Sequence, residues 1–164
     1  MEKQELRAYF FNNMYLAGIH AGIQSQHTTS EMFVKYNTDK IDCDCWKGCD
    51  CYFASGLLHD WGENHKTTVV LNGGMQQNLE ELYELLCSKD NPYPFAKFHE
   101  ADFSLNGALT NVGVILPERI FKAPFISDDF DGDEIFEKYR FENNLSEWEI
   151  EFIKVLKSKR LFGG

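Results

Sequence analysis

No stretch of this 164-residue chain approaches the ~18 consecutive apolar residues of a membrane-spanning helix. Its first residues, Met1-Glu2-Lys3-Gln4-Glu5, lack the apolar run of a secretory signal. The expected compartment is therefore the cytoplasm, with no membrane partner. Positive charge is scarce as well: 16 Lys and Arg stand against 26 Asp and Glu, for a net charge of −10. The deficit is spread along the chain, with 10 against 16 in residues 1–126 and 6 against 10 in residues 127–164. A protein that lives on nucleic acid usually shows a basic face, so this balance counts against one and leaves room only for a local positive patch. With no secretory signal, a disulfide framework is not expected for the five cysteines. Disorder is excluded from the other side, because 43% of the residues are apolar and 15% aromatic. The length suits about one domain with a core of its own.

The pattern of the chain predicts an α/β fold. Residues 6–16 are aromatic-rich and read as a strand, and a glycine-punctuated turn follows at 17–22. From Ile23 to about Tyr36 the spacing turns helical, with Ile23, Met32, Phe33 and Tyr36 expected inward. Residues 37–63 read as an irregular insertion that holds most of the cysteines. Thr67 to Leu71 is a short buried strand closed by Asn72-Gly73-Gly74, and Met75 to Cys87 a helix with Leu79, Leu82, Leu85 and Leu86 on one face. Pro92 and Pro94 break it before a third strand, Phe95 to Ala101, and a fourth, Thr110 to Leu116, stopped by Pro117. Strands alternating with helices argue a three-layer sandwich, a mixed four-stranded sheet flanked by helices, over residues 1–126. Residues 127–164 add an acidic loop, a short helix near 133–141, and a last helix announced by the capping box of Ser146 and Glu149, with Trp148, Phe152, Val155 and Leu156 at helical spacing.

Ligands of open α/β sheets bind beyond the carboxyl ends of the strands. Three such ends carry small or polar residues here: His20, Gly22, Gln24, Gln26 and His27 after the first, Asn72-Gly73-Gly74 after the second, His99-Glu100 after the third. Glycines let a ligand approach the backbone, helix N-termini offer N–H groups to an anion, and His or Glu can move a proton. Neighbours on a strand point to opposite faces. If Glu100 faces the ligand, His99 faces the other layer or caps the loop.

The order of elements and two local motifs resemble the archaeal and eukaryotic type of peptidyl-tRNA hydrolase, in particular the small tRNA-hydrolase-like proteins that tailed phages encode. The family's first helix reads roughly Gly-Lys-Ile-Ala-Ala-Gln-Cys-x-His-Ala, and residues 21–30 here read Ala-Gly-Ile-Gln-Ser-Gln-His-Thr-Thr-Ser. Ile23 and Gln26 match, while Gly22 stands in place of the family lysine and Thr29 in place of its histidine. The later motif, a strand followed by Asp-Ala-Gly-x-Thr and a second strand opening near Thr, sets Glu100 on the catalytic aspartate, Ser104 on the first threonine and Thr110 near the second. The resemblance spans about residues 8–121. It implies hydrolysis of the ester between tRNA and a peptidyl or aminoacyl group, with Glu100 orienting or activating water, His20 or His99 assisting, and Gly22, Gln26, Lys66, Asn72, Ser104 and Thr110 meeting the substrate. Lys66 is the nearby cation, although it enters from the other end of its strand. No cofactor is required for this chemistry. The rival reading is a binding module that sequesters a small anionic or nucleotide ligand at the same edge, favoured by the missing lysine and the charge. A third is an acidic surface, in a monomer or a homodimer, that engages a basic host protein.

Outside that constellation, Cys43, Cys45, Cys49 and Cys51 are spaced C-x-C-x3-C-x-C. Four thiolates can hold a structural zinc, here with tighter gaps than usual and with His59 or His65 as a substitute ligand. The same segment also reads as an acidic insertion that binds nothing, and Asp42, Asp44 and Asp50 disfavour the thiolate a redox switch needs. Asp129, Asp131 and Asp133 begin like a calcium loop, but its sixth and twelfth positions fall on Glu134 and Arg140, so a solvated acidic turn is expected. The terminal Gly163-Gly164 reads as a flexible end, and Tyr9-Phe10-Phe11 as core. If the thiols hold zinc, elemental analysis of protein purified without chelator gives about one zinc per chain. Cys45→Ser and Cys49→Ser then each lower that content, and a zinc-free preparation contradicts the site.

Overall fold

The computed structural model describes residues 4–37, 50–101, 106–125 and 134–163. Cys43, Cys45, Cys49, the side chain of Cys51, Ser104 and the acidic loop at 127–133 lie outside this description. Four strands form one mixed sheet: β1 (Leu6–Asn13), β2 (Thr68–Gly74), β3 (Phe95–His99) and β4 (Leu109–Pro117), in the spatial order β2-β1-β4-β3. β1 runs parallel to β2 and antiparallel to β4, and β4 antiparallel to β3. The carboxyl ends of β1, β2 and β3 therefore meet the start of β4 along one edge. The expected α/β sandwich is what the chain adopts.

Alternation along β1 builds two cores. Leu6, Ala8 and Phe10 face α1 (Gly18–Lys35) and α2 (Asp50–Asp60), where Met32, Tyr36, Ala54 and Leu58 join them. Tyr9 and Phe11 face the opposite layer. There they pack with Leu79, Leu82 and Leu86 of α3 (Gln76–Leu86), Ile120 and Phe121 of the short α4 (Glu118–Phe121), Phe136 of α5 (Glu134–Asn143), and Trp148, Phe152 and Leu156 of α6 (Glu147–Ser158). Gly113 on β4 makes the first core possible. A Cβ there would lie 2.6 Å from Phe10 Cε1 and 2.7 Å from Met32 Cε, so its absence lets the Phe10 ring spread across the neighbouring strand.

Several expected boundaries shift. The first helix opens at Gly18, since the turn occupies only Met14 to Ala17, and Gly18 and Gly22 are helical. Ile23 and Phe33 point outward and Met32 and Tyr36 inward, so two of the four expected inward positions were misread. Glycine costs a helix about 1 kcal/mol relative to alanine, which packing of the rest of α1 overrides. The second half of the supposedly irregular insertion is α2, continued by a π-helical turn at Trp61–His65. Both sheet edges are managed. The chain end pairs with β2 through Asn72 N–H to Arg160 O and Phe162 N–H to Val70 O, each 2.9 Å. Lys35 crosses the β3 edge, its ammonium 3.4 Å above the Phe95 ring centre and donating to Phe95 O at 3.1 Å. Lysine at an open edge discourages further strand addition.

The capping box of α6 is present, with Glu149 N–H donating to Ser146 Oγ and Ser146 N–H to Glu149 Oε2. The same carboxylate, 3% exposed, accepts from the Tyr93 hydroxyl and, at 2.6 Å, from Arg119 Nη2. Burial and that hydrogen bond push the Tyr93 hydroxyl well above its ordinary range. One glutamate thus joins α6, α4 and the approach to β3, while Trp148 Nε1 fixes the helix to Leu85 O at 2.9 Å. Glu149→Ala removes the carboxylate half of the capping box and strands Arg119 and Tyr93. The expected loss is about 2–3 kcal/mol, below the ~3–5 of a fully buried pair because water screens the partly exposed arginine. A urea titration measures it, and an unchanged midpoint contradicts the role.

Candidate functional site

The polar residues that collect at the carboxyl edge come from α1, β1, β3 and β4. Asn12 near the end of β1 stands directly opposite Asn111 of β4, and both are fully buried on the side that faces α1. Asn111 Nδ2 donates to Asn12 Oδ1 at 2.9 Å, and both amides donate to Ser25 Oγ at 3.3 Å. The Ser25 hydroxyl spends its own proton on Ala21 O at 2.8 Å, so it is fully used. Thr28, one turn on, is buried on the same flank of the helix. Thr28 Oγ1 and Asn111 Oδ1 find no hydrogen-bond partner among the described residues. Leaving such groups buried costs ~1–3 kcal/mol each. An interface tuned for stability alone would be apolar here.

A β-bulge aims the next residue. Phe98 pairs with Asn111 and His99 with Leu109, which leaves Thr110 as one extra residue in β4. Leu109 drops into the core of the opposite layer, and Thr110 turns its hydroxyl toward α1. There Thr110 Oγ1 donates to Gln24 Oε1 at 2.9 Å, and Gln24 Nε2 donates to Glu100 Oε1 at 2.6 Å. The amide of Gln24 is thereby oriented from one end by a hydroxyl and spends the other on the carboxylate. Glu100, half-buried, is itself placed by its backbone N–H, which donates to Ala108 O at 3.0 Å. Its second oxygen makes no protein hydrogen bond among those described. The ring of His27 stacks on Phe98 with centroids 4.6 Å apart, walling the same flank.

Of the residues expected at a site, the structure brings together Glu100 and Thr110, through Gln24. His20 lies one helical turn before Gln24, exposed, on the same flank of α1. The others lie elsewhere. His99 is exposed, its Nδ1 2.9 Å from Gly107 O, and so it braces the loop and leaves the site to its neighbour. Gly22 and Gln26 sit on the opposite flank of α1, lining a separate groove of about 260 Å³ with Thr68 and Val70 of β2. Asn72 closes its own turn by accepting from Gly74 N–H at 2.9 Å. Lys66 lies at the amino end of β2, its ammonium on Glu63 O at 2.7 Å, and reaches nothing at the carboxyl edge. The polar cluster itself contains no lysine or arginine.

Chemically, the arrangement offers one carboxylate oxygen open to water or a donor and another fixed by an amide, on a helix whose N-cap, Ala17, supplies no side-chain cap. Among the described residues no group of three or more His, Cys, Asp or Glu is placed to hold a metal ion. No described helix is long and apolar enough to cross a membrane. Sequence reasoning passed over Asn12, Ser25, Thr28 and Asn111. Their signal is asparagine within two otherwise apolar strands, near the end of β1 and near the start of β4, and a polar stripe at i, i+1 and i+4 on the helix between.

Ser25→Ala takes away the acceptor that both asparagine amides share. Its expected cost is ~1–3 kcal/mol in a denaturant titration. Ile19→Ser, on the exposed face of the same helix, is expected to move the midpoint by less than ~0.5 kcal/mol. Equal effects would contradict the placement of the two faces. Compared with known proteins, the chain matches no protein-family model and no curated sequence.

Proposed function

We propose that this chain hydrolyses the ester between tRNA and an aminoacyl or peptidyl group, with Glu100 as the group that orients and deprotonates water. The observation that carries the reading is the chain of contacts Thr110–Gln24–Glu100, 2.9 Å and 2.6 Å, at the sheet edge where open α/β folds bind ligands. The choice of ester and of tRNA rests on the resemblance to peptidyl-tRNA hydrolases. Gln24 holds one oxygen of Glu100, so the other is the one that accepts from water. Water attacks the ester carbonyl, its proton passes to Glu100, and the C–O bond to the ribose breaks. The leaving ribose oxygen takes a proton, for which His20 and His27, both on that flank of α1, are the candidates. Gly22 holds no charge where the family has lysine. The N–H groups of the first turn of α1 are the donors left to meet negative charge on the carbonyl oxygen or a phosphate. No cofactor enters.

A second reading has an observation of its own. The cluster has no cation, and the chain carries −10, which suits a module that sequesters a small ligand better than an enzyme that grips a polyanion. One variant separates the two. Glu100→Gln keeps the shape and removes the charge. Under the hydrolase reading it slows ester cleavage by ~10²–10⁴-fold with little change in melting temperature. Equal cleavage by variant and parent refutes the role of Glu100. No cleavage by either, with nucleotide or small-anion binding retained or tightened in the variant, supports sequestration.

A further inference from the structure

The middle of helix α1, between buried Ala21 and Met32, turns polar residues inward and apolar ones outward. Against the sheet it places Gln24, Ser25 and Thr28, each no more than 5% exposed, while Ile19 is 75%, Ile23 46% and Val34 62% exposed to solvent. Apart from Val34, the outward apolar residues fall on one stripe. Ile19, Ile23, Gln26, Ser30 and Phe33 follow one another at intervals of four, three, four and three, which is the 3.5-residue seam of a helix that packs along another helix. Gly22 borders the stripe, and a Cβ there would meet nothing within 4 Å, so a partner's backbone has room to come close. Phe33 is held ready, its ring edge-on to His59 at 5.5 Å.

Charge selects the occupant. In a chain whose residues are 26% charged, positions 8–30 contain no Asp, Glu, Lys or Arg. Interface centres are depleted of charge in this way and enriched in large apolar side chains. Two copies, each at −10, repel wherever carboxylates face one another. This face lets them meet without burying one. The stripe is also its own complement. Turned end for end about Gln26, Ile19 comes opposite the partner's Phe33, Ile23 beside the partner's Ser30, and Gln26 opposite the partner's Gln26.

We propose that α1 is the seam of an isologous homodimer, antiparallel, with the two-fold axis passing at Gln26. The two Gln26 amides exchange hydrogen bonds across that axis, and Ile19, Ile23 and Phe33 supply the apolar contact. The flank that carries Gln24 and Glu100 stays outside the seam, so the proposal stands whatever that site binds.

Sedimentation velocity of the full chain under reducing conditions tests it. One helix face is small against the ~800 Å² per partner of standard interfaces, so a Kd of the order of 10–100 μM is expected. Added salt tightens the dimer by screening the two net charges. Ile23→Asp leaves the melting temperature of dilute protein unchanged and abolishes the dimer. Mild oxidation of the Gln26→Cys variant gives a disulfide between the two substituted positions, identified by peptide mass spectrometry, whereas Ile19→Cys gives none with itself. A monomer at every concentration overturns the proposal and leaves the face to a different protein. A dimer that survives Ile23→Asp, or one without the symmetric cross-link at position 26, overturns the assignment to α1.

Discussion

Two asparagines facing each other across adjacent strands, Asn12 and Asn111, set the constraint on which the rest of this structure depends. Their amides are fully buried and must find acceptors, because an unsatisfied amide in an apolar layer costs more than most single contacts return. They find one another and Ser25. That demand turns the polar flank of α1 inward against the sheet. The same rotation presents Gln24 to Glu100 and sends Ile19 and Ile23 outward. A carboxylate held at a sheet edge and an apolar seam exposed to solvent are two consequences of one orientation.

Backbone irregularity does the remaining positioning. The extra residue in β4 moves Thr110 from the face that alternation assigns it to the face of α1, where its hydroxyl fixes the Gln24 amide. At the same edge β2 also carries an extra residue, Gly73, between the pairs Asn12–Asn72 and Asn13–Gly74. A Cβ at Gly73 would lie 2.4 Å from Leu79 Cδ2, so only glycine lets α3 pack down at that point. Bulges concentrate where a strand must re-aim a side chain or stop pairing. Far from this edge, the Glu149 carboxylate locks α6 to the other layer, so the most buried ion pair among the described residues lies away from the candidate site.

The alternation of strands and helices was legible because apolar periodicity reports burial directly, and so was the capped last helix, whose Ser146 and Glu149 signal a local hydrogen-bond pattern. The mixed character of the sheet followed from those, whereas the order β2-β1-β4-β3 comes from the structure. The rotation of α1 was not legible. Periodicity assumes that apolar residues face the core, and here Ile23 and Phe33 face outward because two buried asparagines on other strands claim the inner side. That information lies 99 residues apart in the sequence. Resemblance singled out Glu100 and Thr110 separately, but Gln24, the side chain that joins them, carries no motif. Lys66 and His99 were drawn in by proximity in sequence. Lys66 lies at the far end of its strand, as its position in the sequence already implied, and His99 takes the loop-capping alternative, on Gly107 O.

Residue-resolved hydrogen exchange of side-chain amides by NMR tests the central claim, that amides and hydroxyls pack α1 onto the sheet. The amide protons of Asn12, Asn111 and Gln24 are expected to exchange only through openings that also release neighbouring backbone amides, hence slowly and in step with them. The amide of Gln77, exposed on α3, is expected to exchange at close to the rate of a free side chain. If Gln24, Asn12 and Asn111 exchange as fast as Gln77 while the sheet stays protected, the polar flank of α1 does not face the sheet, and the site and the seam derived from it both fall.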